Sequence, residues 1–177
     1  MADHRPLRSL GDLLRDVIQL AYVTDDLGAG VRWFEASLGT SGCHVRLGSA
    51  LGGAVHVDGE LVDEWVIDVA LVNAGATNLE LIRPVSGAVD LYRDAIRPGA
   101  PATFHHLGVR VDDFDEATAL LAATGRSWAQ HGELAGSIRF GYVDLTAELG
   151  HHVEVMELSP GFESYLDQLR AESDAHG

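Results

Sequence analysis

One strand-like stretch occurs twice in the chain, and this repeat limits the possible folds more than any other feature. Residues 19–26 read Gln-Leu-Ala-Tyr-Val-Thr-Asp-Asp, and residues 106–113 read His-Leu-Gly-Val-Arg-Val-Asp-Asp. Each stretch runs into a helix-like segment, which begins at Leu27 in the first copy and at Phe114 in the second. A repeat spaced by 87 residues in a chain of 177 predicts two copies of one supersecondary unit.

The elements predicted around the two copies follow the same order. The first unit has a strand at 17–24, a helix at 27–38 and strands at 43–47, 64–73 and 77–82. The second unit has a strand at 104–111, a helix at 114–124 and strands near 127–131, 137–144 and 151–157. The fold class is therefore α+β, with two tandem β-α-β-β-β modules.

Turn-forming residues and the repeat together predict the division of the chain. A helix is expected at 89–97, where Pro98-Gly99 ends it. The predicted parts are an N-terminal extension at 1–16, a first module at 17–97, a linker at 98–102, a second module at 103–158, and a C-terminal helix and tail at 159–177. The C-terminal segment is amphipathic, and we expect it to pack on the body of the protein or on a second subunit. The loops at 48–63 and 131–136 are expected to shape a pocket.

Composition excludes several classes of function. The net charge of −15 argues against a nucleic-acid partner, which needs clustered cations. All twelve basic residues are arginine, so lysine Schiff-base chemistry is excluded. The single cysteine, Cys43, cannot form an intramolecular disulfide and is interpreted as a small buried or semi-buried thiol. The sequence has no apolar run of about 20 residues and no signal-like start, which predicts a cytoplasmic protein without a membrane partner.

A candidate site emerges from the strands that open and close each unit. The closing strands carry a glutamate between two aliphatic residues, Glu80 in the first unit and Glu154 in the second. Since side chains alternate across a strand, both carboxylates face away from the side that the helices cover. The same alternation places Gln19 and His106, which open the units, on the face of the glutamates. We therefore predict that Gln19, Glu80, His106 and Glu154 hold one divalent ion of Zn, Ni, Co, Mn or Fe.

The other histidines receive weaker predictions. His105 precedes a candidate ligand and is expected to face the opposite side of its strand, as a packing or supporting residue. His152 shares the parity of Glu154 and is a candidate to line the cavity. Further candidates to approach the site are His44, His56 and His131.

With these residues in place, the chain resembles the vicinal oxygen chelate superfamily, which includes glyoxalase I, methylmalonyl-CoA epimerase, extradiol dioxygenases and bleomycin-resistance proteins. The resemblance spans about residues 17–158 and is carried by the stretches 19–27, 79–84, 105–113 and 150–154. It implies paired modules that form a cupped mixed sheet, the glyoxalase-like fold, around one divalent ion. It also implies a homodimer, and it places Gln19, Glu80, His106 and Glu154 at the four ligand positions.

The resemblance favours a metal-dependent isomerase, epimerase or lyase that acts on a small molecule. Such an enzyme removes a proton next to a metal-bound carbonyl and stabilises the enediolate, with Glu154 and Glu80 moving the proton. The Gln/Glu/His/Glu set is similar to that of eukaryotic-type glyoxalase I, whereas residues 105–113 read more like the epimerase branch. Extradiol dioxygenases differ, because they use two histidines and one carboxylate where this chain has Gln19.

Two other functions stay open. The first is a metal-free protein that sequesters a small hydrophobic molecule or an antibiotic in the same cup. Its aromatic walls would come from Tyr22, Trp33, Trp65, Phe104 and Tyr142. The second is a structural or regulatory module whose acidic surface contacts another protein. The complete ligand set favours the enzyme over both.

Overall fold

The structure, a computed structural model, describes residues 5–50, 54–134 and 136–174. Its strands are β1 Val17–Val23, β2 His44–Ala50, β3 Val55–Val57, β4 Glu60–Leu61, β5 Trp65–Ala74, β6 Thr77–Gly87, β7 Thr103–Arg110, β8 Gln130–Leu134, β9 Ile138–Leu145 and β10 His151–Leu158. Its helices are α1 Leu10–Leu13, α2 Leu27–Leu38, α3 Asp90–Arg93, α4 Phe114–Ala123, α5 Thr146–Leu149 and α6 Pro160–Asp174. No helix within these ranges is long and apolar enough to cross a membrane.

The strands form one curled mixed sheet in the order β2-β5-β6-β1-β7-β10-β9-β8-β3-β4. β1 pairs in parallel with β6, β7 pairs in parallel with β10, and β1 and β7 run antiparallel at the centre. Each half therefore has the same strand pattern, β2-β5-β6-β1 in one and β8-β9-β10-β7 in the other. This confirms the predicted α+β class, with two β-α-β-β-β modules in a cupped sheet.

The repeated Asp-Asp pair sets where the two module helices begin. The side chain of Asp26 accepts a hydrogen bond from the Ala29 N–H at 2.9 Å. Asp113 accepts from the N–H groups of Asp115 and Glu116 at 2.8 and 3.0 Å. These N–H groups have no acceptor inside the helix, so a carboxylate at the cap position stabilises each helix start.

Separate cores fill the two sides of the sheet. On the convex side, α2 packs through Phe34 and α4 through Leu121. The concave side holds a third cluster that includes Trp65 and Tyr142, and Leu169 of α6 is buried in it. The amphipathic C-terminal segment therefore packs on the protein's own sheet, which is the first of its two predicted positions.

The segment predicted as a loop at 48–63 is largely strand. β2 extends to residue 50, residues 51–53 lie outside the described part, and β3 and β4 form a hairpin. This hairpin leaves the first half and pairs antiparallel with β8 of the second, where His56 faces His131. The pairing covers the free backbone edge of β8, and an exposed edge is costly for a sheet. Propensity within 48–63 does not reveal a partner strand that lies more than 70 residues away.

The helix predicted at 89–97 is much shorter, because α3 covers only Asp90–Arg93. After it, the N–H groups of Ala95 and Ile96 donate to the carbonyls of Tyr92 and Arg93, three residues earlier. These tighter turns end the α-helix and lead the chain back towards β7.

Candidate metal centre

Four consecutive strands at the centre of the sheet each supply one candidate ligand. These are Glu80 on β6, Gln19 on β1, His106 on β7 and Glu154 on β10. Glu80 and His106 both pair with Ala21, so they lie in one row across the sheet. Gln19 and Glu154 both pair with Gly108, in the next row on the same face.

The two carboxylates converge on the ring of His106. One ligand atom from each of Glu80, His106 and Glu154 lies within 4.8 Å of the other two. His106 Nε2 is 3.2 Å from Glu154 Oε2 and 3.6 Å from Glu80 Oε2. His106 is fully buried, whereas the glutamate side chains keep small exposed fractions towards a cavity. Burial, followed by the negative charge of Glu154, raises the pKa of Glu80 well above its usual value.

Gln19 lies on this face with a defined amide orientation. Its Nε2 donates to Asn78 Oδ1 at 2.9 Å, and Asn78 Nδ2 donates to Asn73 Oδ1 at 2.8 Å. These bonds leave Gln19 Oε1 buried without a hydrogen-bond partner among the described residues. A buried carbonyl oxygen costs free energy unless it meets a donor or a cation. Gln19 is therefore able to offer an oxygen ligand.

Gly108 makes room for the Gln19 side chain. A Cβ at position 108 would lie 2.9 Å from Gln19 Oε1 and 2.8 Å from Met156 Cε, closer than carbon atoms pack. In the repeat, Gly108 stands where the first copy has Ala21. The glycine is thus a packing requirement of the second copy alone.

His105 lies on the side of its strand opposite to the predicted one. Its Nδ1 is only 2.8 Å from His106 Nδ1. The reason is an irregularity in the pairing of β7 with β1, where His106 pairs with Ala21 but Phe104 pairs with Tyr22. His105 is the extra residue at this bulge, and a bulge breaks the strict alternation of side chains.

The ring of His105 is held from two further directions. Its Nε2 is 3.0 Å from the Leu91 carbonyl oxygen, and the ring stacks on His152 with centroids 4.9 Å apart. Burial, followed by the charges of His106 and His152, lowers the pKa of His105 to about 2, so the ring is neutral. His152 therefore supports this ring and does not act as a cavity wall.

An apolar cavity of about 200 Å³ opens over Glu80 and Glu154. Its walls include Trp65, Ile67, Ile82, Leu134, Phe140 and Phe162. Arg46 also lines it, with its guanidinium carbon 4.9 Å from the centroid of the Tyr165 ring. Because Phe162 lies on α6, the C-terminal helix forms part of the cavity wall.

A buried chain of polar groups reaches the cavity wall. Gln130 Nε2 donates to the Tyr92 hydroxyl at 3.1 Å, and the Tyr92 hydroxyl donates to the Tyr142 hydroxyl at 3.2 Å. Burial is the main reason that the pKa values of both tyrosines lie well above the usual value, so both stay protonated. Since Tyr142 accepts from Tyr92, its own hydroxyl hydrogen can point to a group in the cavity.

Only part of this wall was predicted. Trp65 and Tyr142 line the cavity as expected for aromatic walls. The other three predicted aromatic residues, Tyr22, Trp33 and Phe104, instead form ring contacts in a cluster around Phe34 of α2. Tyr92 and Gln130 were missed, because neither lies in a repeated stretch and neither residue type marks a site by itself.

The remaining predicted residues lie away from the centre. His44 Nε2 is 2.8 Å from Glu172 Oε2 of the C-terminal helix. His56 and His131 stack on each other where β3 meets β8, with centroids 4.7 Å apart. Burial raises the pKa of Cys43 to about 11, which keeps it a neutral thiol, as expected for a structural cysteine.

The donor set fits a divalent ion. Ligands that share an ion at about 2.1 Å lie roughly 3.0–3.4 Å from each other. The separations of 3.2 and 3.6 Å from His106 Nε2 to the two carboxylates are close to this range. One nitrogen and two carboxylate oxygens, with the oriented Gln19 oxygen in the next row, suit a first-row transition metal.

Comparison with known proteins agrees with this architecture. A family model described as the glyoxalase/bleomycin resistance protein/dioxygenase superfamily matches residues 18–142. No curated protein sequence matches the chain significantly.

Among solved structures, the methylmalonyl-CoA epimerase from Mycobacterium tuberculosis is similar, with a TM-score of 0.56 and 17% identity over 93% of this chain and 99% of that one. A methylmalonyl-CoA epimerase in complex with methylmalonyl-CoA and NH4+ has a TM-score of 0.56 and 15% identity, over 82% of this chain and 95% of its own. A hypothetical protein from Bacillus halodurans also has a TM-score of 0.56, with 13% identity over 81% and 94% of the two chains. Likeness at these identities shows a shared fold.

Proposed function

Because this chain belongs to the glyoxalase/bleomycin resistance protein/dioxygenase superfamily, we propose that it is a divalent-metal-dependent isomerase, epimerase or lyase. It transfers a proton at the carbon next to a carbonyl of a small molecule. The observation that carries the proposal is the convergence of Glu80, His106 and Glu154 at the base of a cavity. The proposal includes a cytoplasmic location, which the sequence predicts, and a homodimer, which the family resemblance implies.

The residues Glu80, His106 and Glu154, with Gln19, would hold the ion. When bound, a divalent ion supplies Lewis-acid stabilisation of the negative charge that develops on the carbonyl oxygen. His106 is fully buried and takes no part in contacting the substrate. Its role would be to hold the ion.

The two glutamates move the proton. Both line the cavity, and they approach His106 from the strands on either side of the central pair. A carboxylate beside the substrate can act both as the base that takes a proton and as the acid that returns one. Removal of a proton by one carboxylate, followed by donation of a second proton to the opposite face by the other group in its protonated form, would invert the carbon centre.

The rest of the cavity supports the same reaction. The Tyr142 hydroxyl can donate a hydrogen bond to a substrate oxygen, since its proton is not used by Tyr92. The apolar walls keep water from a carbon-centred anion and strengthen electrostatic interactions inside.

The cavity also limits the substrate class. A volume of about 200 Å³ is below the roughly 300–1,000 Å³ typical of sites for drug-sized ligands, so it holds a short acyl group. Arg46 in the wall can bind a carboxylate or a phosphate. We therefore propose a short acyl compound that carries an anionic group. Methylmalonyl-CoA, the ligand of one structural neighbour, has an acyl group of this kind.

Deuterium exchange tests the reaction directly. The metal-loaded protein is incubated in heavy water with a panel of 2-oxo acids, hemithioacetals and acyl thioesters, including methylmalonyl-CoA. We expect metal-dependent deuterium uptake at the carbon next to the carbonyl of one class, and its loss in Glu154→Gln. The exposed Glu60→Gln variant is the control that keeps activity. No uptake from any class would contradict the proposal.

Metal analysis separates the enzyme from the binding-protein alternative. We expect one divalent ion per chain after purification or after titration with Zn, Ni, Co, Mn and Fe salts. A protein that neither retains nor takes up a metal, yet binds small hydrophobic molecules, would instead be the sequestering protein.

A further inference from the structure

The two neighbouring histidines form a chain of hydrogen bonds that starts at a main-chain carbonyl. The Leu91 carbonyl oxygen is 3.0 Å from His105 Nε2, and His105 Nδ1 is 2.8 Å from His106 Nδ1. The far end of the chain, His106 Nε2, faces Glu154 and Glu80 at 3.2 and 3.6 Å. Both rings are almost wholly buried, so water does not compete for these contacts.

The Leu91 carbonyl gives this chain a direction. A carbonyl oxygen can only accept, so His105 Nε2 must carry the hydrogen that it donates to Leu91. The neutral ring of His105 then has a lone pair on Nδ1, and His106 Nδ1 must donate to it. His106 is left with its lone pair on Nε2, the atom that faces Glu80 and lies 3.2 Å from Glu154 Oε2, so a proton on the carboxyl group or a bound cation must lie between the two acceptor atoms. The opposite tautomer would bring two lone pairs together at 2.8 Å.

The local backbone keeps the Leu91 carbonyl available. In a longer α-helix this oxygen would accept from the N–H of Ala95. Here the Ala95 N–H donates to Tyr92 instead, because the chain turns tightly after α3. The early end of α3 and the bulge at His105 therefore act on the same hydrogen-bond chain.

We infer that His105, oriented by the Leu91 carbonyl, is a positioning residue that fixes the tautomer of His106 with the Nε2 lone pair directed at Glu80 and Glu154. The metal-binding consequence rests on the proposed function, whereas the tautomer itself does not. A ligand histidine usually donates its second N–H to a carbonyl or a carboxylate. In this chain another imidazole takes that place.

Nitrogen NMR of the full-length, metal-free protein tests the tautomer. Long-range proton–nitrogen correlation distinguishes a ring nitrogen that carries hydrogen from one with a lone pair. We expect His106 to carry its hydrogen on Nδ1 and His105 to carry its hydrogen on Nε2. A hydrogen on His106 Nε2 in the neutral ring would overturn the inference. This measurement needs no metal, so it stands even if the proposed function fails.

Calorimetric titration with Zn²⁺ and Co²⁺ tests the consequence for binding. His105→Phe keeps a buried ring but removes the acceptor, and we expect affinity to fall about 10–100-fold. His105→Asn returns an acceptor oxygen and should recover part of the loss. His44→Phe is the control, because His44 lies away from the centre, where its Nε2 is 2.8 Å from Glu172 Oε2, so the metal affinity of this variant should stay within about threefold of wild type.

The outcomes separate the two claims. A His105→Phe protein that binds metal as tightly as wild type would overturn the positioning role. If that variant does not fold, the tautomer of His106 measured by NMR in the wild-type protein decides whether the inference holds. A wild-type protein with the expected tautomer that binds no metal would support the role of His105 and contradict the proposed function.

Discussion

The two halves of the site occupy equivalent rows of the sheet, but they orient their candidate ligands Gln19 and His106 differently. In the first half the row is Asn73, Asn78 and Gln19, and in the second half it is Asp144, His152 and His106. The first row is linked by side-chain amides at 2.8 and 2.9 Å. In the second, His106 bonds instead to His105, which the bulge brings in beside it.

The difference shows that a shared backbone does not require a shared way of positioning its functional groups. To orient an amide side chain, its oxygen must be distinguished from its nitrogen. A neighbouring amide oxygen does this by accepting a hydrogen bond from the nitrogen. An imidazole needs its two nitrogens distinguished, which requires a partner of known donor and acceptor character. The Leu91 carbonyl is such a partner, and the second half gains access to it through one irregularity in β7.

The largest loss of metal affinity is expected when the second half is made to resemble the first. His106→Gln removes the imidazole and leaves the buried Nδ1 of His105 without its donor. We expect metal affinity to fall more than about 100-fold, beyond the 10–100-fold range of supporting residues. Gln19→Ala is the comparison and should cost less, about 10-fold. Equal losses in the two variants, measured by calorimetry, would mean that the halves contribute equally.

Gly108 offers a test of the packing difference between the copies. Gly108→Ala makes the second copy match Ala21 of the first, but its Cβ would clash with Gln19 and Met156. We expect the free energy of unfolding to fall by about 1–3 kcal/mol, as for an overpacked core. Gly11→Ala is the control, since a Cβ there meets only an ordinary contact at 3.6 Å. Denaturant unfolding that shows no loss for Gly108→Ala would refute the packing argument.

Asn78 and His152 occupy equivalent positions with unequal expected roles. Asn78→Leu removes the acceptor that orients the Gln19 amide, and we expect metal affinity to fall about 10-fold. His152→Phe should leave affinity close to wild type, because His152 does not orient His106. The calorimetric metal titration that compares His106→Gln with Gln19→Ala also measures these two variants. A larger loss from His152→Phe than from Asn78→Leu would reverse the assignment of the orienting partners.

The outer edges of the two halves also differ, and we expect the difference to appear in the pH dependence of the free energy of unfolding. The β3–β4 hairpin covers the edge of β8, where burial, followed by the charge of His56, lowers the pKa of His131 below 6.5. A lowered folded-state pKa means that this contribution to stability is present above pH 6.5 and is lost as pH falls below it. We expect His131→Gln to flatten that decline in the free energy of unfolding. An unchanged slope would exclude His131 as its source.

Local signals in the sequence were sufficient for most of the fold. Each Asp-Asp pair caps a helix, α2 spans the predicted residues 27–38, and the alternation of apolar residues placed Glu80 and Glu154 on the concave face. The hairpin at 55–61 was missed because its partner strand belongs to the other module. Short-range pattern cannot identify pairing over that distance.

The sequence by itself determined the two-module architecture and the residue types at the candidate site, because both depend on strand periodicity and on the repeat. Only the tertiary structure decided how those residues are oriented. The bulge that turns His105 towards His106, the amide row that leaves Gln19 Oε1 without a partner, and the α6 wall of the cavity all depend on contacts between distant segments. Donor and acceptor direction is a property of neighbours in space, and the chain's own order does not specify it.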